Sequence, residues 1–184
     1  MSTFKGSITG NYYNNEKLSD ITICFGEVKI HAHKVILSSD SRGFSAAFES
    51  QLSIATSSSH QVSGYSDVVV YAMLRHIYGF PLDEECDEIA GEEQFDYLFE
   101  IFLIANEYQI PSLAEAATAL IVDPMFECKL DLSTGQFRSL WVKDMFKKII
   151  ARTAELYIQH NDADKSLLDK VIKVSLEMMG SIEE

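Results

Sequence analysis

The sequence predicts an α+β fold: a small mixed sheet packed with a cluster of helices, followed by a C-terminal helical pair. Three observations carry that expectation. Apolar residues alternate over Ile21 to Ala32, the apolar period lengthens to three and four from Lys34 onward, and a stretch from Asp123 to Gln136 containing Pro124 and Gly135 separates these elements from two more amphipathic helices.

Ile21, Ile23 and Phe25 alternate with Thr22 and Cys24, and Val28, Ile30 and Ala32 alternate with Lys29 and His31, which is the period of a half-buried strand. Only Gly26 and Glu27 stand between the runs. A glycine in the first central position supplies the positive φ of a type II′ turn, so the two strands should pair antiparallel. Val35, Ile36 and Leu37, then Phe44, Ala47 and Phe48, follow at helical spacing on either side of a polar break at Ser38 to Gly43, giving two short helices.

Glu49 to Gly64 is rich in serine, with Leu52, Ile54 and Val62 among polar or small residues, and reads as a surface loop with at most a short strand near Gln61 and Val62. Val68, Val69 and Val70 alone favour a strand. However, Ser66 and Asp67 stand where an N-cap belongs, Tyr71, Leu74, Ile77 and Tyr78 continue in helical steps, and Gly79 offers a left-handed cap before Pro81. This segment is therefore a helix.

From Asp83 to Glu100 there are nine acidic residues and no basic one, a solvated loop whose Glu92 and Glu93 suit the positive end of the next helix. That helix, Glu92 to Gln109, has Phe95, Leu98, Phe99, Phe102, Leu103 and Ala105 on a wide apolar face. Pro111 ends it and opens another, striped by Leu113, Ala116, Ala117 and Leu120. Beyond Gln136, Val142, Met145, Phe146, Ile149, Ile150, Thr153, Leu156 and Tyr157 define one amphipathic helix. Leu167, Leu168, Val171, Ile172, Ser175 and Met178 define the second, with a polar turn at His160 to Asp164 between them.

Composition narrows the function. Over 184 residues the chain is 47% hydrophobic and 23% charged, an ordinary globular balance, with a net charge of −13. Residues 1–124 hold six Lys or Arg against eighteen Asp or Glu, and residues 125–184 hold nine against ten. So acidic a front half repels a phosphate backbone, and no nucleic-acid partner is expected. No apolar run approaches the ~18 residues of a spanning helix, and Met1 to Lys17 has no apolar signal core, so no membrane partner is expected and the chain should stay inside the cell. Cys24, Cys86 and Cys128 are widely spaced with no CxxC, and no Asn-x-Ser/Thr acceptor occurs, both of which suit reduced thiols.

Ser19-Asp20-Ile21, His31-Ala32-His33-Lys34-Val35-Ile36-Leu37-Ser38 and Phe44-Ser45-Ala46-Ala47-Phe48, in this order, resemble the BTB/POZ family. Leu74 to Gly79 and Ala105 to Leu113 resemble two later helix ends of that family, so the likeness covers Leu18 to Val122. The resemblance implies a protein-interaction module, usually dimeric, with no catalytic residues, no cofactor and no small-molecule substrate. With the polar, Asn-rich composition of 1–17 reading as a mobile leader, the chain divides into that leader, the BTB/POZ domain of the resemblance at 18–122, a linker at 123–138 and a helical hairpin extension at 139–184.

The resemblance also implies sites. Asp20 and Lys34 match a charged pair held near the dimer interface of the family. In some of its dimers the segment ahead of the first core strand crosses to the other subunit, which here is Ile8 to Tyr13. Cullin-binding members carry a bulky apolar residue followed two positions later by Glu in the loop after the second helix. Here Leu52-Ser53-Ile54 keeps the apolar residue and puts Ile54 in place of the Glu, which counts against cullin recruitment. The expected partners are a second copy of the chain and, in a narrower reading, a cullin scaffold served as a ubiquitin-ligase substrate adaptor. The alternative is a self-associating, transcription-related scaffold without cullin.

A reading of another class builds a metal protein or enzyme on His31, His33 and a nearby thiol, because two histidines in one strand two apart share a face. The remaining histidines and cysteines lack metal-site spacing, and a His33 satisfied locally at the start of a helix is the plainer account. Gly43-Phe44-Ser45-Ala46-Ala47 lacks the second glycine of a nucleophile elbow, and no GxxxxGK[ST] occurs. Lys143, Lys147, Lys148 and Arg152 make a basic helix strip, either a solvated face or a dock for the acidic surface of another copy.

Overall fold

A computed structural model describes residues 8–49, 57–82, 92–132, 140–160 and 165–180. The chain divides into two compact units, Met1–Glu115 and Ala116–Glu184.

In the first unit β1 (Ile21–Phe25) and β2 (Val28–Ala32) pair antiparallel with Ile21 opposite Ala32 and Phe25 opposite Val28. Gly26 has φ +52° and Glu27 keeps a negative φ, the signs of the expected II′ turn. The glycine also answers a close approach, since a Cβ there would lie 2.6 and 2.7 Å from the two carboxylate oxygens of Asp67. β3 (Ser59–Gln61) joins β1 from the other side in parallel, so the sheet runs β2-β1-β3 and is mixed. It starts two residues ahead of the expected Gln61–Val62 strand. Its polar side chains carry no alternation, and backbone bonds such as Thr22 N–H to the Ser58 carbonyl at 2.8 Å and Val62 N–H to the Cys24 carbonyl at 2.9 Å set its register.

Helix α1 (Lys34–Asp40) runs further than expected, and the break before α2 (Arg42–Glu49) is Ser41 alone. The intervening serines do not stop the helix, because Ser39 Oγ bonds back to the Ile36 carbonyl at 2.7 Å. Ser41 Oγ caps α2 by accepting the Phe44 N–H at 3.0 Å. Helix α3 (Asp67–Ile77) begins where the capping pattern places it, but the Ser66 hydroxyl donates to Glu100 Oε2 at 3.1 Å and makes no cap bond. At its other end Gly79, at φ +87°, closes a Schellman motif with Phe80 N–H on the Arg75 carbonyl and Gly79 N–H on the His76 carbonyl. Helix α4 (Glu92–Glu107) is central, as its period predicts: Leu98, Phe99, Ile101, Phe102, Ile104 and Ala105 are all buried, against half-buried positions at Phe95 and Leu103.

Helix α5 (Pro111–Leu132) continues through Asp123–Leu132, the first part of the expected linker. Pro124 lacks an N–H and so removes one rung of the helical ladder, and the Met, Glu, Lys and Leu residues after it are strong helix formers that carry the helix on. In the second unit α6 (Leu140–Gln159) buries Ile149, Thr153 and Leu156, and α7 (Ser166–Gly180) buries Leu167, Val171 and Val174. Tyr157 Oη accepts the Leu168 N–H at 3.3 Å, which ties the end of α6 to the start of α7 as a hairpin requires. Ile150 and Ile172, expected on the inner stripes, are exposed.

Candidate interaction surface

Helix α1 starts against a carboxylate from the far side of the hairpin. His33 holds the N-cap position with extended backbone and gives no side-chain cap, and Asp20 Oδ1 supplies it by accepting the Lys34 N–H at 2.8 Å. An anionic oxygen at a helix N-terminus is favoured twice, by the orphan N–H and by the helix dipole. The structure therefore brings Asp20 and Lys34 together through the main chain of Lys34, while the Lys34 ammonium stands 5.6 Å from the Phe48 ring centroid.

Beneath this start lies a buried polar knot. Tyr78 Oη accepts the His33 N–H at 3.0 Å and sits 2.9 Å from His33 Nδ1, and His33 Nε2 lies 2.9 Å from the Lys17 carbonyl oxygen. A carbonyl can only accept, so in the neutral ring Nε2 carries the hydrogen and Nδ1 accepts from the Tyr78 hydroxyl. Burial pushes the Tyr78 phenol up to about 12, with the His33 backbone bond opposing and the Asp20 charge adding to the rise. It stays a donor at any physiological pH. His31, by contrast, is exposed on β2 and offers its backbone N–H to Asn14 Oδ1 at 3.1 Å. The two histidines that share a strand face in the sequence reading are thus parted, because His33 lies beyond the end of β2. Both its ring nitrogens are committed, and among the described residues no three His, Cys, Asp or Glu converge as metal ligands.

Residues 8–17, which composition reads as a mobile leader, form a strap. Its 3-10 turn (Ile8–Tyr12) places Thr9 Oγ1 2.9 Å from the Tyr78 carbonyl, and the Tyr13 ring meets Tyr71, Tyr78 and Phe80 edge-on at 5.8, 5.4 and 5.7 Å. Tyr12 meets the His33 ring edge-on at 5.6 Å. The segment expected to cross to a second subunit lies against its own α3 in the structure. The signal available in sequence was the adjacent pair of tyrosines, whose partners lie 21 residues downstream for Tyr12 and 58 or more for Tyr13, and so are invisible to periodicity.

The strap ends by displaying a leucine. Lys17 bonds His33 and Asp20 bonds Lys34, so Leu18 between them is held beside the first turn of α1, at φ +65° and 75% exposed. Val35, in that same turn, is 76% exposed. Two large aliphatic side chains, one in α1's first turn and one in the segment bonded to its start, are thus left to water. The other candidate pair, Leu52 and Ile54, lies outside the described residues, as do residues 1–7 ahead of the strap.

The hairpin, the paired short helices, the β3 return, α3, α4 and the first part of α5 fall within residues 10–124, which a family model described as BTB/POZ domain matches. The chain belongs to the BTB/POZ family. Its BTB domain is accordingly a protein-interaction module. Relatives include Rabankyrin-5 of Homo sapiens and Rabankyrin-5 of Mus musculus, each 29% identical over 109 residues that make up 59% of this chain. The matched stretch is 8% of either relative's length, so the likeness is to one part of a far longer protein. The family match begins within the strap, at residue 10, ahead of Leu18 where the motifs start.

Proposed function

We propose that this BTB domain works as a self-associating adaptor or scaffold, two copies meeting across the first turn of α1, with Leu18 and Val35 at the centre and Asp20 and Lys34 beside them. The observation that carries the reading is the exposure of two large aliphatic side chains, each about three-quarters open to water, one in the first turn of the capped helix α1 and the other in the segment bonded to its start. Full burial of a Leu or Val side chain is worth about 1.5–3 kcal/mol, so four of them across a two-fold interface would contribute about 6–12 kcal/mol against the cost of association. The helical pair α6–α7 then serves as an extension of the domain, at the position the family resemblance gives it.

Light scattering tests this directly. The wild-type chain should have the mass of a dimer, and Val35→Asp should shift it to monomer while leaving the circular dichroism spectrum unchanged. A wild-type monomer at every concentration would overturn self-association.

The narrower reading, a cullin ubiquitin-ligase substrate adaptor, rests on the family loop in which Leu52 is kept and Ile54 replaces the Glu. That replacement favours the scaffold without cullin. Mixing the chain with a cullin N-terminal domain and resolving the mixture by gel filtration separates the two: co-elution supports the adaptor, and separate peaks support the scaffold.

A further inference from the structure

Three side chains from three helices form a hydrogen-bonded chain in the first unit. Asp40 is the last residue of α1, His76 lies in the last turn of α3, and Ser112 is in the first turn of α5. Ser112 Oγ donates to Asp40 Oδ2 at 3.1 Å, and His76 Nε2 lies 2.9 Å from Ser112 Oγ. A hydroxyl has one hydrogen, and the carboxylate can only accept it, so Oγ must take its second bond from an N–H on Nε2. The proton of neutral His76 is thereby assigned to Nε2. Nδ1 is left as a bare lone pair, shielded from water and without a hydrogen-bond partner among the described residues.

These are the residue types of a hydrolytic triad in the wrong polarity. A nucleophilic serine gives its proton to the imidazole, whereas this serine gives it to the carboxylate and the imidazole is the donor. The arrangement joins helices. It does not activate a hydroxyl.

We infer that His76, Ser112 and Asp40 form a proton-sensitive latch that fastens the first turn of α5 to α1 and α3 at neutral pH and lets it go on acidification. With Nε2 already bearing a hydrogen, an incoming proton must go to Nδ1. There it creates an N–H and a positive charge in a shielded place with no acceptor, which is costly. Relief is at hand one bond away: turned toward Asp40, the cationic ring finds a carboxylate, and Ser112 loses both its partners.

The surroundings agree. Burial holds the His76 imidazole below its ordinary value of 6.5, and the Asp40 charge, pulling upward, is the lesser influence. Among the described residues, Asp40 is the charge that acts on His76. Glu100 and Glu107 of α4 are occupied by Ser66 and Tyr65, Glu115 lies on α5 three residues beyond Ser112, and Arg75, beside His76 on α3, lies over the Phe80 ring at 4.2 Å. Because the folded-state pKa lies below the unfolded one, the neutral latch contributes fully above 6.5, and its contribution fades as pH falls toward the lowered value.

The test compares wild type with His76→Gln, whose amide can still donate to Ser112 but cannot take up a proton. Exchange at the Ala114 amide, which bonds the Ile110 carbonyl in the first turn of α5 at 3.1 Å, reports the latch once corrected for intrinsic pH dependence. On going from about pH 7.5 to about pH 5.5, wild-type Ala114 should lose protection by about tenfold, and His76→Gln should lose little. Ser112→Ala, which breaks the chain without touching the imidazole, should show weakened protection at both pH values. The His76 ring resonance should titrate below 6.5. A His76 that titrates at or above 6.5, or a His76→Gln chain that loses protection as wild type does, would overturn the latch.

Discussion

Gly43→Ala offers the sharpest test of how the first unit is held together. Gly43 lies in the first turn of α2, whose N–H groups are met head-on by the end of α4. Gly43 N–H bonds the Tyr108 carbonyl at 3.0 Å, Arg42 N–H bonds the Gln109 carbonyl at 3.3 Å, and Ser41 Oγ donates to the Tyr108 carbonyl at 2.6 Å. A Cβ on Gly43 would stand 2.8, 2.9 and 3.0 Å from the O, Cα and C atoms of Tyr108, where ordinary contact begins at 3.4 Å. All three are backbone atoms, so no rotamer change relieves the clash. The two helices must part by about 0.5 Å, which carries the longer of these bonds past the limit of a useful hydrogen bond. Overpacking costs about 1–3 kcal/mol, and the weakened bonds about 1 kcal/mol each. Alanine's better helix propensity returns about 1 kcal/mol. The net expectation is a loss of about 2–4 kcal/mol, or about 5–15 °C in Tm, read by urea and thermal unfolding. Gly64→Ala is the internal control: Gly64 has φ +91° with nothing within 4 Å, so it isolates the backbone strain of about 1 kcal/mol. A Gly43→Ala chain as stable as wild type, as helix propensity alone would have it, would refute the close approach.

Gln109 closes α4 at φ +52°, where a side chain is strained, so Gln109→Gly should raise stability by about 0.5–1 kcal/mol in the same unfolding experiment. Tyr78→Phe keeps the aromatic contacts but leaves the buried His33 N–H and ring without their partner, and should cost about 2–3 kcal/mol by urea titration, a size that a surface tyrosine could not produce. His60, edge-on to Phe44 at 5.7 Å, has its pKa lowered by burial from 6.5, with Nε2 shielded and without a hydrogen-bond partner among the described residues. Its neutral form supports the fold above 6.5, and that support is lost as pH falls, so His60→Leu should flatten part of the acid limb of a Tm-versus-pH curve while leaving the neutral plateau close to wild type.

Much of the architecture was legible because it is written in local period. Ile21 to Ala32 could pair only as a hairpin about Gly26, and Gly79 marked the end of α3 by the one conformation glycine takes most cheaply. The equivalent closure at Gln109 was hidden, because nothing local announces a glutamine with positive φ. The strap was hidden for a similar reason: Tyr12 and Tyr13 look like isolated aromatics until His33 meets the first, and Tyr78 and Phe80 meet the second. The α1–α2 break was drawn too wide because serines count as helix breakers by composition, while Ser39 and Ser41 satisfy their hydroxyls on nearby or distant carbonyls.

By itself, then, the order of periods and turns determined an α+β domain with a helical pair after it, since alternation, helical stripes and glycine caps are properties of adjacent residues, and the likeness of its motifs pointed to the BTB/POZ family. Tertiary structure alone decided which groups meet: that Asp20 caps α1, that His33 is shared between Tyr78 and Lys17, and that Ser112 joins His76 to Asp40, while Leu18 and Val35 are each left exposed. These contacts join residues up to seventy-two apart in sequence, where the pattern of neighbours carries no information and only the packed chain brings donor to acceptor.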